Sequence, residues 1–452
     1  MSSAGGSKHT NFVVIFCDNL GYGDLGCYGH PVHRTPNVDR MAREGALFTD
    51  FYVTSGVCTP SRSSLMTGCY AQRVDMHVSD KGGAVLQPVA AKGLNPSEIT
   101  LARLLHDRGY ATACVGKWHM GDQLPFLPTR HGFDDYYGIP YSEDMTPRPG
   151  QNWPPLPLMR GEQVIEAPVD MPTVTKRYTE EAIGFMERNA DRPFFLYMPQ
   201  AYPGSVRIPE VGEDFAGKSG NAEYGDSVEE LDWSAGEVLA ALQRLGLQQQ
   251  TLVVFTSDNG SPKGHGGSNA PLRGWGYSTW EGGMRVPCVM RWPGTIPAGS
   301  TCSELCTTMD LLPTFAALAG THAPTDRVTD GRDIRPLLTA EPGASSPYEA
   351  FFFYHMEQLQ AVRSGQWKLH LARESKRAFH AEDGGPTEAL LFDLVADPGE
   401  THNLAAEHPD IVRKLTELAD TARDDLGDTD RPGRGLRPAG TYPNPTPRVL
   451  NC

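Results

Sequence analysis

The chain has 452 residues, 39% apolar and 21% charged, the balance of an ordinary soluble globular protein with room for about two or three domains. Its 40 basic and 55 acidic residues give a net charge of −15, which argues against nucleic acid as the main partner and means that a small anionic substrate needs a local positive site. The first residues hold no basic segment followed by an apolar run, and no stretch of 18 apolar residues occurs, so the expectation is a cytoplasmic protein without a membrane span.

In chain order, "NFVVIF" (11–16) predicts a buried strand that leaves into "CDNLGYGD". "VDRMAREGALF" predicts a helix and its exit. "VCTPSRSSLMTG" (57–68) reads as the start of a helix, with Cys58 and Arg62 one turn apart and able to face one spot. Backbone N–H groups at such a start attract an anion and lower a thiol pKa. "ITLARLLHDRGY" is an amphipathic helix, followed by the strand "ATACVG" and the turn "GKWHMG". "TKRYTEEAIGFMERNA" then "PFFLYM" repeats the alternation, as does "DSVEELDWSAGEVLAALQRLG" then "TLVVFTS"; "VPCVMRW" precedes the helix "MDLLPTFAALAG". Continuously apolar strands alternating with helices predict an α/β fold, a mostly parallel sheet covered on both faces.

Past about residue 340 the pattern changes. "EAFFFYH", "LQAVRSGQWKLHLA" and "ALLFDL" read as short strands, and "DIVRKLTELADTARDDL" as an amphipathic helix. The expected organisation is an α/β domain over 1–340 and a C-terminal α+β subdomain over 341–452, a small antiparallel sheet with one helix and an extended Pro- and Gly-rich tail.

Parallel sheets place ligands beyond the carboxyl ends of their strands. Asp18 and Asn19 leave one strand and Asp258 and Asn259 another, each pair into a Gly turn. Four hard oxygen donors from two strand ends suit calcium or magnesium, whereas either pair alone reads as an Asx turn. Lys117 and His119 can place two cations, or a cation and a proton donor, at the same rim. The nine cysteines are scattered and odd in number, which suits reduced thiols. Cys302 and Cys306 read as structural. Strand alternation turns Cys17 away from Asp18, as a packed thiol.

"CTPSR" (58–62) followed by "SSLMTG" resembles the sulfatase signature C-x-P-S-R. "DNLGYGDLGCYGHP", "GKWHMG", "YGDSVEELDWS", "SDNG", "LRGWGYSTWEGGMRVP", "MDLLPT" and "DPGETHNLA" resemble their counterparts in that family in order, over nearly the whole chain. The resemblance implies an alkaline-phosphatase-like fold and hydrolysis of a small organic sulfate. It implies that a maturation enzyme oxidises Cys58 to formylglycine, whose hydrate attacks sulfur. It further implies that Asp18, Asn19, Asp258 and Asn259 hold Ca2+ (or Mg2+) with the modified Cys58, that Arg62 orients the nucleophile, and that Lys117 and His119 bind the sulfate or the diol.

Three positions depart from the pattern. Asn19 stands where the family has a second aspartate, Gly204 where it has a histidine, and Gly276 where it has a lysine. "SPKGHGGSN" offers Lys263 and His265 as substitutes, and Tyr202, Trp275 and Tyr277 can form an aromatic wall that selects a different substrate. Three readings follow. The first is a sulfatase-family hydrolase with a remodelled pocket. The second is a repurposed transferase of sulfuryl or sulfamoyl groups, or a phosphoester hydrolase, in specialised metabolism. The third is a non-catalytic binding protein.

Overall fold

The strand Asn11–Asp18 is buried at all eight positions, as a strand covered on both faces must be. In this computed structural model, which describes residues 9–373 and 388–450, it lies near the middle of a ten-stranded sheet. Thr251–Ser257 runs parallel on one side, with Val13 opposite Val253. Phe194–Pro203 runs parallel on the other, with Val13 opposite Leu196. Ala111–Val115 and Asp135–Gly138 continue the parallel centre. Both flanks turn antiparallel, through Cys288–Arg291 on one side and Leu158–Arg160 with Gln163–Glu166 on the other. The sheet is thus alkaline-phosphatase-like, with a parallel core.

The twofold period of the strand divides the core. Val13, Ile15 and Cys17 face the helices Val174–Arg188 and Ala222–Arg244, packing with Tyr178, Phe185 and Leu231. Phe12, Val14 and Phe16 face the opposite layer, with Leu65, Leu101 and Phe315. Cys17 is a packed thiol, 0% exposed. The eight cysteines of the described residues are free; Cys452 lies outside them. No described helix is long and apolar enough to cross a membrane.

Phe351–His355, Gln358–Ser364, Trp367–His370 and Leu390–Asp393 form a four-stranded antiparallel meander, against which the helix Pro409–Leu426 packs. Phe351, Leu369 and Leu415 belong to the same continuous apolar cluster as Phe12 and Leu65. The C-terminal subdomain therefore shares one core with the large sheet. A buried charge cluster also joins them. Lys368 Nζ lies 2.9 Å from Glu281 and 3.0 Å from Glu400. Arg285 and Arg363 meet Asp50 at 2.8 and 2.7 Å, and the Tyr52 hydroxyl donates to Glu281. Three bases and three acids balance there.

Candidate active site

The helix Cys58–Thr67 is buried at every position although six of its ten residues are polar. Most of its hydroxyls have partners: Ser63 donates to the Pro60 carbonyl at 2.8 Å and Thr67 to Ser63 at 2.7 Å within the helix, and Thr59 donates to the His119 carbonyl at 3.0 Å, while the Ser61 hydroxyl is buried with no hydrogen-bond partner among the described residues. The helix can therefore enter beneath the strand ends with few of its oxygens left dry, and it ends at Gly68 in the left-handed region.

That entry brings the expected residues together. Cys58 Sγ lies 3.4 Å from Asp18 Oδ1 and 3.8 Å from Lys117 Nζ. Arg62 Nη2 donates at 2.7 Å to both Asp18 and Asp258. Lys117 Nζ donates to Asp18 at 2.7 Å, Ser142 at 2.9 Å and Glu143 at 3.3 Å. Arg62, Lys117, Asp18 and Asp258 are all fully buried, so these contacts act in a low dielectric.

The electrostatics follow. Burial pushes the Asp18 carboxyl up, but Lys117 and Arg62 reverse this and hold it well below the usual range. Asp258, buried and facing the Asp18 charge, is raised to about 7. Burial alone would lower Lys117, yet Asp18, Cys58 and Glu143 keep it a cation. Burial raises the Cys58 thiol. His119 falls well below the ordinary value through burial and the Lys117 charge, so it is neutral. Its Nε2 sits 2.9 Å from the Leu86 carbonyl, which only accepts, so Nε2 carries the hydrogen. Its buried Nδ1 is left as an acceptor with no hydrogen-bond partner among the described residues. Of the two roles open to His119, cation or proton donor, the geometry supports neither and makes it an acceptor.

A divalent cation fits the donors present. Ligand atoms of Asp18, Cys58 and Asp258 all lie within 4.8 Å of one another. Asn259 Nδ2 donates to the Gly260 carbonyl at 2.9 Å and to Asn19 Oδ1. Asn259 Oδ1, a hard oxygen, is thereby buried with no hydrogen-bond partner among the described residues. Asn19 Oδ1 keeps a lone pair beyond the one that receives Asn259. Asp24, His30 and His33 also approach within 4.8 Å, but their groups are engaged. The Asp24 carboxylate accepts from Gly21, Ser268 and Tyr224, and both ring nitrogens of His33 have partners at 2.8 Å. That cluster pins the first turn.

Above Cys58 opens a cavity of about 250 Å³. Cys58, His119 and Tyr277 line it, and Arg207, Lys263 and His265 bring basic groups to its wall. Two of the expected aromatic residues are elsewhere. Tyr202, within the strand Phe194–Pro203, is 2% exposed and packed in the core, and Trp275 does not line the cavity. The positions without side chains are filled by neighbours. A Cβ on Gly204 would sit 2.6 Å from Glu143 Oε1, and one on Gly276 would sit 2.2 Å from the Gly260 carbonyl. Glu143 thus occupies the room beside residue 204. With Ser142, it was missed in the sequence, although "GIPYSED" follows the strand Asp135–Gly138 and sits at a strand end like the others.

Gly116 sets the position of Lys117. It has φ +138°, and a Cβ there would lie 1.8 Å from the Pro199 carbonyl. Gly116→Ala is expected to lower the unfolding free energy by about 3 kcal/mol, read as a shifted urea midpoint at unchanged slope.

Residues 10–321 match the profile of the family described as Sulfatase, and residues 346–432 that of the C-terminal region of aryl-sulfatase. Human (Homo sapiens) arylsulfatase A is 40% identical, over 91% of this chain and 87% of its own. Mouse (Mus musculus) steryl-sulfatase is 36% identical, over 91% of this chain and 81% of its own. The crystal structure of a sulfatase from Pseudoalteromonas sp. superposes with a TM-score of 0.79 at 27% identity, covering 91% of this chain and 89% of that one.

Proposed function

The chain belongs to the sulfatase family, a hydrolase of sulfate esters, and from that premise we propose that it cleaves a small organic sulfate with residue 58 as formylglycine and a divalent cation, Ca2+ or Mg2+, at Asp18, Asn19, Asp258 and Asn259. The observation that carries this reading is the convergence on one atom. Cys58 Sγ stands within 4 Å of the Asp18 carboxylate and the Lys117 ammonium, at the floor of the cavity. When present, formylglycine supplies an oxygen nucleophile and the cation a Lewis acid that acidifies it.

The remaining roles fall to the chain. Arg62 and Lys117 keep two positive charges beneath residue 58, against Asp18, Asp258 and Glu143. With a divalent cation bound, these charges would outweigh the three carboxylates, and the net positive site would attract a sulfate monoanion against the global charge. His119 Nδ1 is placed to accept a proton. Arg207, Lys263, His265 and Tyr277 meet the organic part of the substrate in a pocket remodelled around Gly204 and Gly276. Conversion of Cys58 requires a formylglycine-generating maturation enzyme as partner.

The test is co-expression with such an enzyme. Mass spectrometry of the peptide containing residue 58 is expected to show the aldehyde, and the purified protein to hydrolyse an activated aryl sulfate, with activity lost to a chelator and restored by Ca2+ or Mg2+. An unconverted thiol with no turnover overturns the proposal. A sulfated alcohol formed from an added acceptor would instead identify group transfer.

A further inference from the structure

Asn19, His119 and Tyr277 have φ of +61°, +58° and +73°. Asparagine visits this region readily, but a bulky aromatic residue there is an outlier that the surrounding structure must enforce. The enforcement at Tyr277 is visible. Its N–H donates to the Gly56 carbonyl at 2.8 Å, two residues before Cys58, and the Gly276 N–H donates to Ser261 at 2.9 Å. The chain is pinned between the nucleophile's helix and the loop after Asp258 and Asn259. This geometry drives the ring into the cavity beside residue 58.

The phenol reaches a defined place. Asn19 Nδ2 donates to Tyr277 Oη at 3.4 Å and to Ser205 Oγ at 3.0 Å. The amide nitrogen is a donor only, so both hydroxyls receive on that side. The amide is itself oriented by Asn259, whose Nδ2 donates to Asn19 Oδ1. Arg62 and Lys117 do not line the cavity; they lie beneath residue 58. A sulfate group seated against residue 58 has its ester oxygen and its alcohol on the cavity side. His119, with Nε2–H committed to Leu86, offers that oxygen no hydrogen.

Resting on the sulfatase reading above, we propose that Tyr277 is a catalytic residue whose hydroxyl, paired with Ser205, donates a hydrogen bond to the bridging ester oxygen as the S–O bond breaks. The electron pair of that bond goes to the bridging oxygen, and sulfur bonds to the attacking oxygen. The phenol keeps its proton, and the released alkoxide takes one from water. A neutral donor of this kind stabilises developing charge, so its value grows with the basicity of the leaving alcohol. An ordinary phenol is protonated near neutral pH, so the hydrogen is in place at working pH.

The experiment is Tyr277→Phe on a series of sulfate esters of decreasing leaving-group acidity. Because Phe keeps the ring, a purely structural role predicts no change. The expected result is a loss of kcat/KM of about 10- to 100-fold for alkyl and weakly acidic phenol esters, little loss for an activated aryl sulfate, and a steeper dependence on leaving-group pKa. Tyr277→Gly, which relieves the positive φ, is expected to show the same steepening. Wild-type and Tyr277→Phe enzymes running parallel across the series overturn this inference alone. Wild-type protein, converted at residue 58, that turns over no ester in the series overturns the sulfatase reading and this inference with it.

Discussion

Cys58→Ala is expected to lower kcat/KM on an activated aryl sulfate by about four to six orders of magnitude, the scale on which removal of a nucleophile acts. The buried groups here serve one position. Arg62 spans Asp18 and Asp258 with two contacts of 2.7 Å, and Lys117 reaches Asp18 at the same distance. Losing Sγ breaks none of these contacts. The variant should therefore fold as before, with a stability change of about 1 kcal/mol from the lost packing of one heavy atom. Arg62→Ala would differ, because it strands two buried carboxylates and costs about 3–5 kcal/mol of stability. Measuring turnover and urea unfolding on both variants separates chemistry from architecture. Full activity in Cys58→Ala would remove the nucleophile from residue 58, whereas a wild-type protein that turns over no ester would leave the reading of a binding protein that keeps only the fold.

The half of the site that could be read from the sequence stands on long apolar strands. Asp18 and Asp258 follow runs of buried β-branched and aromatic residues, and Lys117 follows Ala111–Val115, buried throughout. There the strand end is unmistakable and the next polar residue is at the ligand edge. Ser142 and Glu143 follow Asp135–Gly138, four residues long with Asp135 exposed, too short to announce itself as a sheet strand. Tyr202 was misplaced for the opposite reason. All ten residues of Phe194–Pro203 are buried, so no polar alternation marks which face sees the cavity. Trp275 and Tyr277 differ by a backbone event no residue type signals. Gly276 is squeezed against the Gly260 carbonyl, and Tyr277 takes a conformation usually left to glycine.

Glu281→Gln is expected to lower the unfolding free energy at pH 7 by about 3–5 kcal/mol, the cost of breaking a buried charge arrangement. Glu281 and Lys368 are both fully buried, 2.9 Å apart. Arg285 approaches the same carboxylate at 3.4 Å, and Tyr52 donates to it. Glu281 also gives its own N–H to Glu400 at 2.8 Å. Burial pushes the Glu281 carboxyl up, but Lys368, Arg285 and Arg363 more than reverse it, bringing it from 4.5 to about 2. The unfolded chain binds that proton near 4.5 and the native protein only near 2, so the contribution is complete above 4.5 and lost as pH falls through 2. The shift corresponds to about 3 kcal/mol, in agreement with the mutational figure. Urea unfolding of wild type and variant should thus diverge at pH 7 and converge toward pH 2; a difference constant with pH would remove the charge as its cause. Because residue 281 lies four positions after Tyr277, and Lys368 and Arg363 come from the C-terminal sheet, the same network anchors the segment that holds Tyr277 over residue 58. Glu281→Gln should therefore also impair turnover of esters with poor leaving groups, well below the denaturation midpoint. The C-terminal sheet, remote from the cavity lining, then acts on the chemistry by fixing the backbone on which that phenol is carried.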